Sequence, residues 1–190
     1  MITNKILIMY YSKNGTTKRY AQWLAEELKG DLYDIKDIKS DMLSGYDVLI
    51  LGSPILAGAI RGLSIFTKNY RLIKDKKLIF CACGIEDMSN EMVTNRISGY
   101  VEKAVPNELF KQMKIFFFRG GFDHYKLNFM YRLLFWLAKK KIDRKPVEKL
   151  TTDEKLVIET YGKKLDFTNK ENIKPVVKYC NRENDSKTAH

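Results

Sequence analysis

Residues 11–17, Tyr-Ser-Lys-Asn-Gly-Thr-Thr, bring hydroxyls, an amide, a lysine and a glycine into one short stretch. The apolar run 6–10 precedes them, and Tyr20, Trp23, Leu24 and Leu28 follow at helical spacing. A loop between a strand and a helix N-terminus offers unpaired backbone N–H groups and the positive end of the helix dipole to an anion. Ser12, Thr16 and Thr17 add hydroxyl donors, Asn14 adds an amide, and Gly15 lets the backbone close around a ligand with no Cβ in the way. The chemistry is that of a phosphate cradle, although the same Ser and Thr residues would also serve as ordinary helix caps.

Other anion and catalytic motifs are missing from the sequence. No G-x-G-x-x-G follows the first apolar run, and no G-x-x-x-x-G-K-[ST] occurs. A response-regulator receiver needs acidic residues after its first strand and an Asp ending its third, where this chain has Tyr10-Tyr11 and Gly52-Ser53. The histidines are His124 and His190, so a Ser-His-Asp set cannot be assembled, and His124 reads as a surface residue. Cys81, Cys83 and Cys180 form no even disulfide framework; Cys81 and Cys83 lie inside an apolar run and read as strand residues of a protein in a reducing compartment.

Positioning the cradle requires alternating elements, and the pattern supplies them. Short apolar runs fall at 32–35, at 48–51 before Gly52-Ser53-Pro54, at 77–83 before Gly84, and at 115–118. Between them, 63–72 and 91–104 have helical spacing, Gly30 is placed to cap the first helix, and 150–165 reads as the closing helix. Continuous apolar strands alternating with amphipathic helices predict a parallel sheet covered on both faces, an α/β doubly wound domain, and five strands with short links fit the flavodoxin-like order 2-1-3-4-5. Ligands of such sheets lie beyond the carboxyl ends of the strands, so the loops at 11–17, 52–62 and 84–90 are the ones to inspect. The domain is expected over 1–168, with an insertion at 120–149 and a polar, helix-poor tail at 169–190 that frays.

The chain has 190 residues, of which 45% are hydrophobic and 30% charged, which excludes general disorder and a polytopic membrane protein. No basic segment followed by an apolar one opens it, so the expected location is the cytoplasm, at most peripheral on the inner face of a membrane. Its net charge of +11 points to an anionic partner. Residues 111–149 hold eleven basic residues against Asp123, Asp143 and Glu148, or eight of those net charges.

The run Ile8-Met-Tyr10-x-Ser12-x-x-Gly15-x-Thr17-x-x-x-Ala21-x-x-Leu24 resembles the flavodoxin signature, departing from it at Met9. The resemblance implies an FMN whose phosphate is held by Ser12, Asn14, Gly15, Thr16 and Thr17. It implies a first loop flanking the ring at Gly52-Ser53-Pro54-Ile55-Leu56-Ala57-Gly58, with Gly58 the candidate to adapt to protonation at flavin N5. The second such loop would be Cys83-Gly84-Ile85-Glu86. Neither loop carries the aromatic side chain that flavodoxins usually stack on the ring.

The insertion is the other unusual feature. Residues 125–138 are largely apolar and run into Lys139-Lys140-Lys141, too short a stretch to span a bilayer, which takes about 20 apolar residues. On a helix, Asn128, Arg132 and Lys139 share a narrow stripe, and Phe129, Met130, Leu133, Leu134, Trp136 and Leu137 spread over a wide arc. Such a helix either lies on anionic lipid or packs against a sheet edge or a second copy. The segment Phe118-Arg119-Gly120-Gly121-Phe122-x-x-Tyr125 with Phe129-Met130 also resembles, more loosely, menaquinone-dependent protoporphyrinogen oxidases. That resemblance implies electrons passing from a porphyrinogen through FMN to a quinone, with Arg61, Arg119, Lys126 and Arg132 as partners for substrate carboxylates. Three readings stand open here: an FMN oxidoreductase with a quinone or other redox partner near a membrane, a soluble electron-transfer flavodoxin, and a flavin-free module that binds anions or lipid. Nucleic acid is the least favoured partner, because Tyr125, Tyr131 and Trp136 sit in a continuous apolar setting.

Overall fold

The computed structural model describes residues 4–56 and 59–187. Its strands are β1 (Ile6–Tyr10), β2 (Asp31–Asp34), β3 (Val48–Leu56), β4 (Ala59–Ile60), β5 (Lys77–Gly84), β6 (Lys114–Arg119), β7 (Gly121–Asp123) and β8 (Lys164–Asp166). Its helices are α1 (Thr16–Leu28), α2 (Ser64–Lys68), α3 (Tyr70–Ile73), α4 (Glu91–Ala104), α5 (Asn107–Gln112), α6 (Phe129–Ile142), α7 (Thr152–Thr160) and α8 (Lys174–Lys187). Five parallel strands run in the order β2-β1-β3-β5-β6, which is the expected 2-1-3-4-5; β4 adds a short antiparallel pair to the end of β3.

Alternation along each strand divides the core between the two faces of the sheet. Leu7, Met9, Leu49, Leu51, Leu78, Phe80 and Ala82 face α4 and its neighbours, meeting Phe66, Val93, Ile97, Val101 and Leu109. Ile8, Tyr10, Val48, Ile50, Ile79, Cys81, Cys83 and Phe118 face the other way, against Tyr20, Ala21 and Leu24 of α1 and Val176 and Cys180 of α8. Burying a large apolar side chain contributes about 1.5–3 kcal/mol, so these two layers supply most of what holds the fold.

Four local expectations are corrected. First, β3 does not stop at Gly52-Ser53-Pro54 but continues to Leu56, with Ser53 opposite Ala82 and Pro54 opposite Cys83. Pairing with β1 ends at Gly52, so beyond it β3 has a parallel partner on one side only, an edge that tolerates proline. Second, the residue in the left-handed conformation at the end of α1 is Lys29, with φ 52°. Gly30 is there for space: a Cβ on it would come within 2.4 Å of Ile8 Cδ1 and 2.9 Å of the Ile6 carbonyl oxygen. Third, 63–72 is two short helices that break at Asn69, whose amide donates to the Ile65 carbonyl at 2.8 Å.

The fourth correction concerns the end of the chain. The helix at 152–160 does not cover the sheet; α8 does, with Ile173, Val176 and Cys180 buried where a frayed tail was expected. Their spacing along one helical face gives an otherwise polar segment a narrow apolar stripe, enough to fill the layer beside α1. The insertion accordingly extends beyond the expected 120–149, to the antiparallel pair of β7 and β8 at its base, and carries α6 and α7.

Candidate functional site

The loop between β1 and α1 is shaped by its own residues. The Ser12 hydroxyl oxygen accepts a hydrogen bond from the Gly15 N–H at 3.1 Å, and Gly15 holds φ +88°, a conformation that side-chain-bearing residues rarely adopt. Gly15 is also the N-cap of α1, and no side chain caps that end. The first turn of α1 contains no acidic residue. Its leading N–H groups therefore point out of the helix without a carboxylate competing for an anion.

The helix end opens into a solvent-open cleft beyond the carboxyl ends of β1, β3 and β5. Lys13, Asn14, Thr16 and Thr17 line one end; Pro54 and Ile55 from β3, and Cys83, Gly84 and Ile85 from β5 and after, line the walls. Gly120, Gly121 and Phe122, from the base of the insertion, complete the lining. Close packing explains the glycines: a Cβ on Gly52 would lie 3.1 Å from Thr17 Cγ2, and one on Gly120 would lie 3.2 Å from the Thr16 hydroxyl oxygen. The Gly120 N–H donates to the Gly84 carbonyl at 2.6 Å, tying the ends of β5 and β6 together beside the cleft.

Of the expected site residues, Asn14, Thr16, Thr17, Pro54, Ile55, Cys83, Gly84 and Ile85 converge on the cleft, and Ser12 and Gly15 set the turn behind it. Thr17 is buried and lies beside Cys83 in the cleft lining. Glu86 is not in the cleft lining: it is paired with Arg96 of α4. Leu56 ends β3, while Ala57 and Gly58 lie outside the described residues. Burial pushes the Cys83 thiol up to about 12, against the pull of Thr17, and also raises Cys81 well above the ordinary thiol value, so both stay neutral thiols at physiological pH.

Phe122, Gly120 and Gly121 were not singled out as cleft residues, because the insertion looked separate from the loops around the strand ends. Phe122 stacks on Phe135 of α6, with centroids 5.5 Å apart and planes 22° from parallel, so an aromatic wall reaches the cleft from outside both expected ring loops. Lys13 of the loop lies over the Tyr131 ring of α6 at 5.0 Å. Arg19 of α1 binds Asp166 of β8 at 2.7 Å and the Thr168 hydroxyl at 2.6 Å. Burial raises the Asp166 carboxyl, but the hydrogen bonds from Arg19 and Thr168 outweigh it and hold the group below its ordinary value. His124 is buried, not on the surface; its ring packs near Phe135 and Tyr161 and its Nδ1 has no hydrogen-bond partner. Arg119 donates from Nε to the Ile85 carbonyl at 3.3 Å and lies 3.9 Å over the Phe167 ring, while Arg61, Lys126 and Arg132 are exposed.

Comparison with known proteins gives one family match: a model described as flavodoxin domain covers residues 7–149. No curated protein matches the chain. Among solved structures, oxidised Flavodoxin 2 from Bacillus cereus is similar at 22% identity, with 60% of this chain and 84% of that one covered and a TM-score of 0.42. The two-electron reduced flavodoxin of Megasphaera elsdenii is similar at 17% identity over 59% and 82% of the two chains, with a TM-score of 0.42. A WrbA-like flavodoxin from Agrobacterium tumefaciens is similar at 20% identity over 58% and 75%, with a TM-score of 0.40.

Proposed function

Because this chain belongs to the flavodoxin domain family, we propose that it binds FMN in the cleft above β1, β3 and β5 and works as an FMN-dependent redox protein. The observation that carries the reading is the end of α1: an uncapped helix N-terminus behind a left-handed Gly15, opening into a cleft lined by hydroxyls and a lysine. The Thr16 and Ser12 hydroxyls, the Asn14 amide and the N–H groups of Thr16 and Thr17 would hold the phosphate monoester, with Lys13 adding charge. Pro54, Ile55, Ile85 and Phe122 present apolar surface where a flat aromatic ring system would sit, and exclude water from it. Bound FMN supplies reversible uptake of one or two electrons. The protonated Cys83 thiol takes no part as a nucleophile, which leaves positioning and desolvation as the chain's contributions.

The finer reading is an oxidoreductase that takes electrons from a reduced organic substrate of the porphyrinogen class and passes them to a quinone. Its supports are the resemblance of 118–130 to quinone-dependent enzymes of that kind and the hydrogen bond from Arg119 Nε to the carbonyl of Ile85, a cleft-lining residue. Arg119 would meet a substrate carboxylate as a charge partner, with the exposed Arg61, Lys126 and Arg132 as further candidates.

FMN titration followed by absorbance and flavin fluorescence tests the cofactor. Hydrogen bonds to a charged group contribute about 1.5–3 kcal/mol each, so losing two in Ser12→Ala with Thr16→Ala is expected to weaken FMN binding by at least about 150-fold. Wild-type protein that fails to retain FMN would remove the redox reading. If FMN binds, turnover with a porphyrinogen and a soluble quinone analogue separates an oxidoreductase from a carrier.

A further inference from the structure

We propose that the outward face of α6 docks this protein on an anionic lipid surface. The helix is held to the molecule by a narrow stripe: Phe135, Ala138, Lys139 and Ile142 are its less exposed residues, and Ile142 is the one that is buried. At about 100° per residue these four share one side. The opposite side carries Phe129, Met130, Leu133, Leu134, Trp136 and Leu137, whose exposures run from 44% at Leu133 to 80% at Phe129. Side chains of this size belong in a core or against a partner, and here they form one continuous exposed strip.

The charges choose the occupant. Lys140 and Lys141 lie on the same outward side at its C-terminal end, and exposed Arg144 follows. Lys140 also lies over the Trp136 ring at 5.1 Å, which places a cation and an amphipathic aromatic together where headgroups meet acyl chains. Residues 111–149 carry eight net positive charges, so two copies brought face to face through this strip would repel, whereas an anionic leaflet attracts it. Among the described residues no helix is long and apolar enough to cross a membrane, so α6 lies in the interface plane.

Docking in this way would bring the lipid close to the cleft. The inner side of α6 touches the cleft lining through Phe135 on Phe122, and touches the loop through Tyr131 under Lys13. One helix, about 10–12 Å across, then separates the acyl boundary from the cleft, within reach of a lipid-dissolved electron acceptor. The docking itself rests on the exposed face and not on the redox reading.

The test is co-sedimentation of the full chain with vesicles of phosphatidylcholine alone and of phosphatidylcholine mixed with phosphatidylglycerol, read together with the Trp136 fluorescence maximum. Binding to the mixed vesicles is expected, with a blue shift that Trp136→Phe abolishes and with release in about 1 M salt, where the screening length falls to about 3 Å. Lys140→Gln with Lys141→Gln is expected to lower partitioning onto mixed vesicles about 25-fold, near fivefold for each lysine. Leu133→Ser with Leu137→Ser is expected to abolish the blue shift while leaving the melting temperature unchanged, since both side chains are exposed. The proposal is overturned if the wild type stays in the supernatant with both vesicle types. It is equally overturned if Leu133→Ser with Leu137→Ser dissolves a dimer in sedimentation without changing vesicle binding, which would make a second copy the occupant. Ser12→Ala with Thr16→Ala is expected to bind vesicles like the wild type, so loss of FMN and loss of docking are read separately.

Discussion

Helices α1 and α6 are nearly equal in length, and both rest beside the candidate cleft, yet they use their apolar residues in opposite ways. In α1 the residues at 17, 20, 21 and 24 are buried against the sheet, and Tyr20 is a hub: its hydroxyl donates to the Arg119 carbonyl and accepts from the Asn169 N–H and the Asn172 amide. In α6 six large aromatic and aliphatic residues on the outward side are 44–80% exposed, and the helix is attached by one narrow side. The first helix spends its hydrophobicity on folding and on fixing an anion-binding end in space. The second leaves its apolar face available for association, while its attached side forms part of the cleft lobe.

The contrast predicts very different costs for similar substitutions. Phe80→Ala removes a fully buried ring between β5 and its covering helices and is expected to cost about 3–5 kcal/mol in urea unfolding, whereas Leu133→Ala on α6 is expected to stay within about 0.5 kcal/mol. Equal losses at the two sites would mean that α6 is buried in solution and would break the comparison.

Gly121→Ala probes the join between the regions. Its Cβ would meet the Leu165 carbonyl oxygen at 2.5 Å, a backbone atom that cannot rotate away, and Thr16 Cγ2 at 3.2 Å. A loss of about 1–3 kcal/mol is expected, with faster proteolysis within 121–166 than within the sheet and weaker FMN binding. Gly15→Ala meets no atom within 4 Å, so its cost is conformational alone, about 1–2 kcal/mol, and it should appear mainly as weaker FMN retention. If Gly15→Ala bound FMN like the wild type, the cradle would not depend on the left-handed turn.

A small effect lies at the tie between Arg19 and Asp166. The Asp166 side chain is 44% exposed, so Arg19→Gln is expected to cost at most about 1 kcal/mol. The folded state holds the Asp166 carboxyl below its ordinary value, so its contribution is full above the unfolded value of about 3.9 and is lost as pH falls through the lower folded value. Thermal melts of wild type and Arg19→Gln are therefore expected to converge on acidification below about pH 4.

Some elements could be read directly because their signals are local. The helix at 91–104 matches its sequence pattern, with Asn90 capping it through a bond from the Met92 N–H and Val93, Ile97 and Val101 buried at intervals of four. Strand 77–83 was legible for the same kind of reason, a continuous apolar run, and extends by one residue to Gly84. The role of Phe122 was hidden because its neighbours in the cleft are distant in sequence: Thr16 and Ile55 on one side, Phe135 behind. Glu86 looked like a ring-loop residue by position and instead joins Arg96, because α4 brings an opposite charge to it.

The sequence by itself determined the alternation that assigns strand residues to two faces, the glycine turn before α1 and the basic, apolar character of the insertion. All of these depend on neighbours a few residues apart. Tertiary structure decided which late helix closes the sheet, since both 152–160 and 174–187 could form and only the second buries Val176 and Cys180 beside α1. It also decided that the apolar arc of α6 faces outward. A hydrophobic pattern states that a side chain favours leaving water, but which surface receives it is settled by competition among all the faces of the chain, and here the sheet had already been covered.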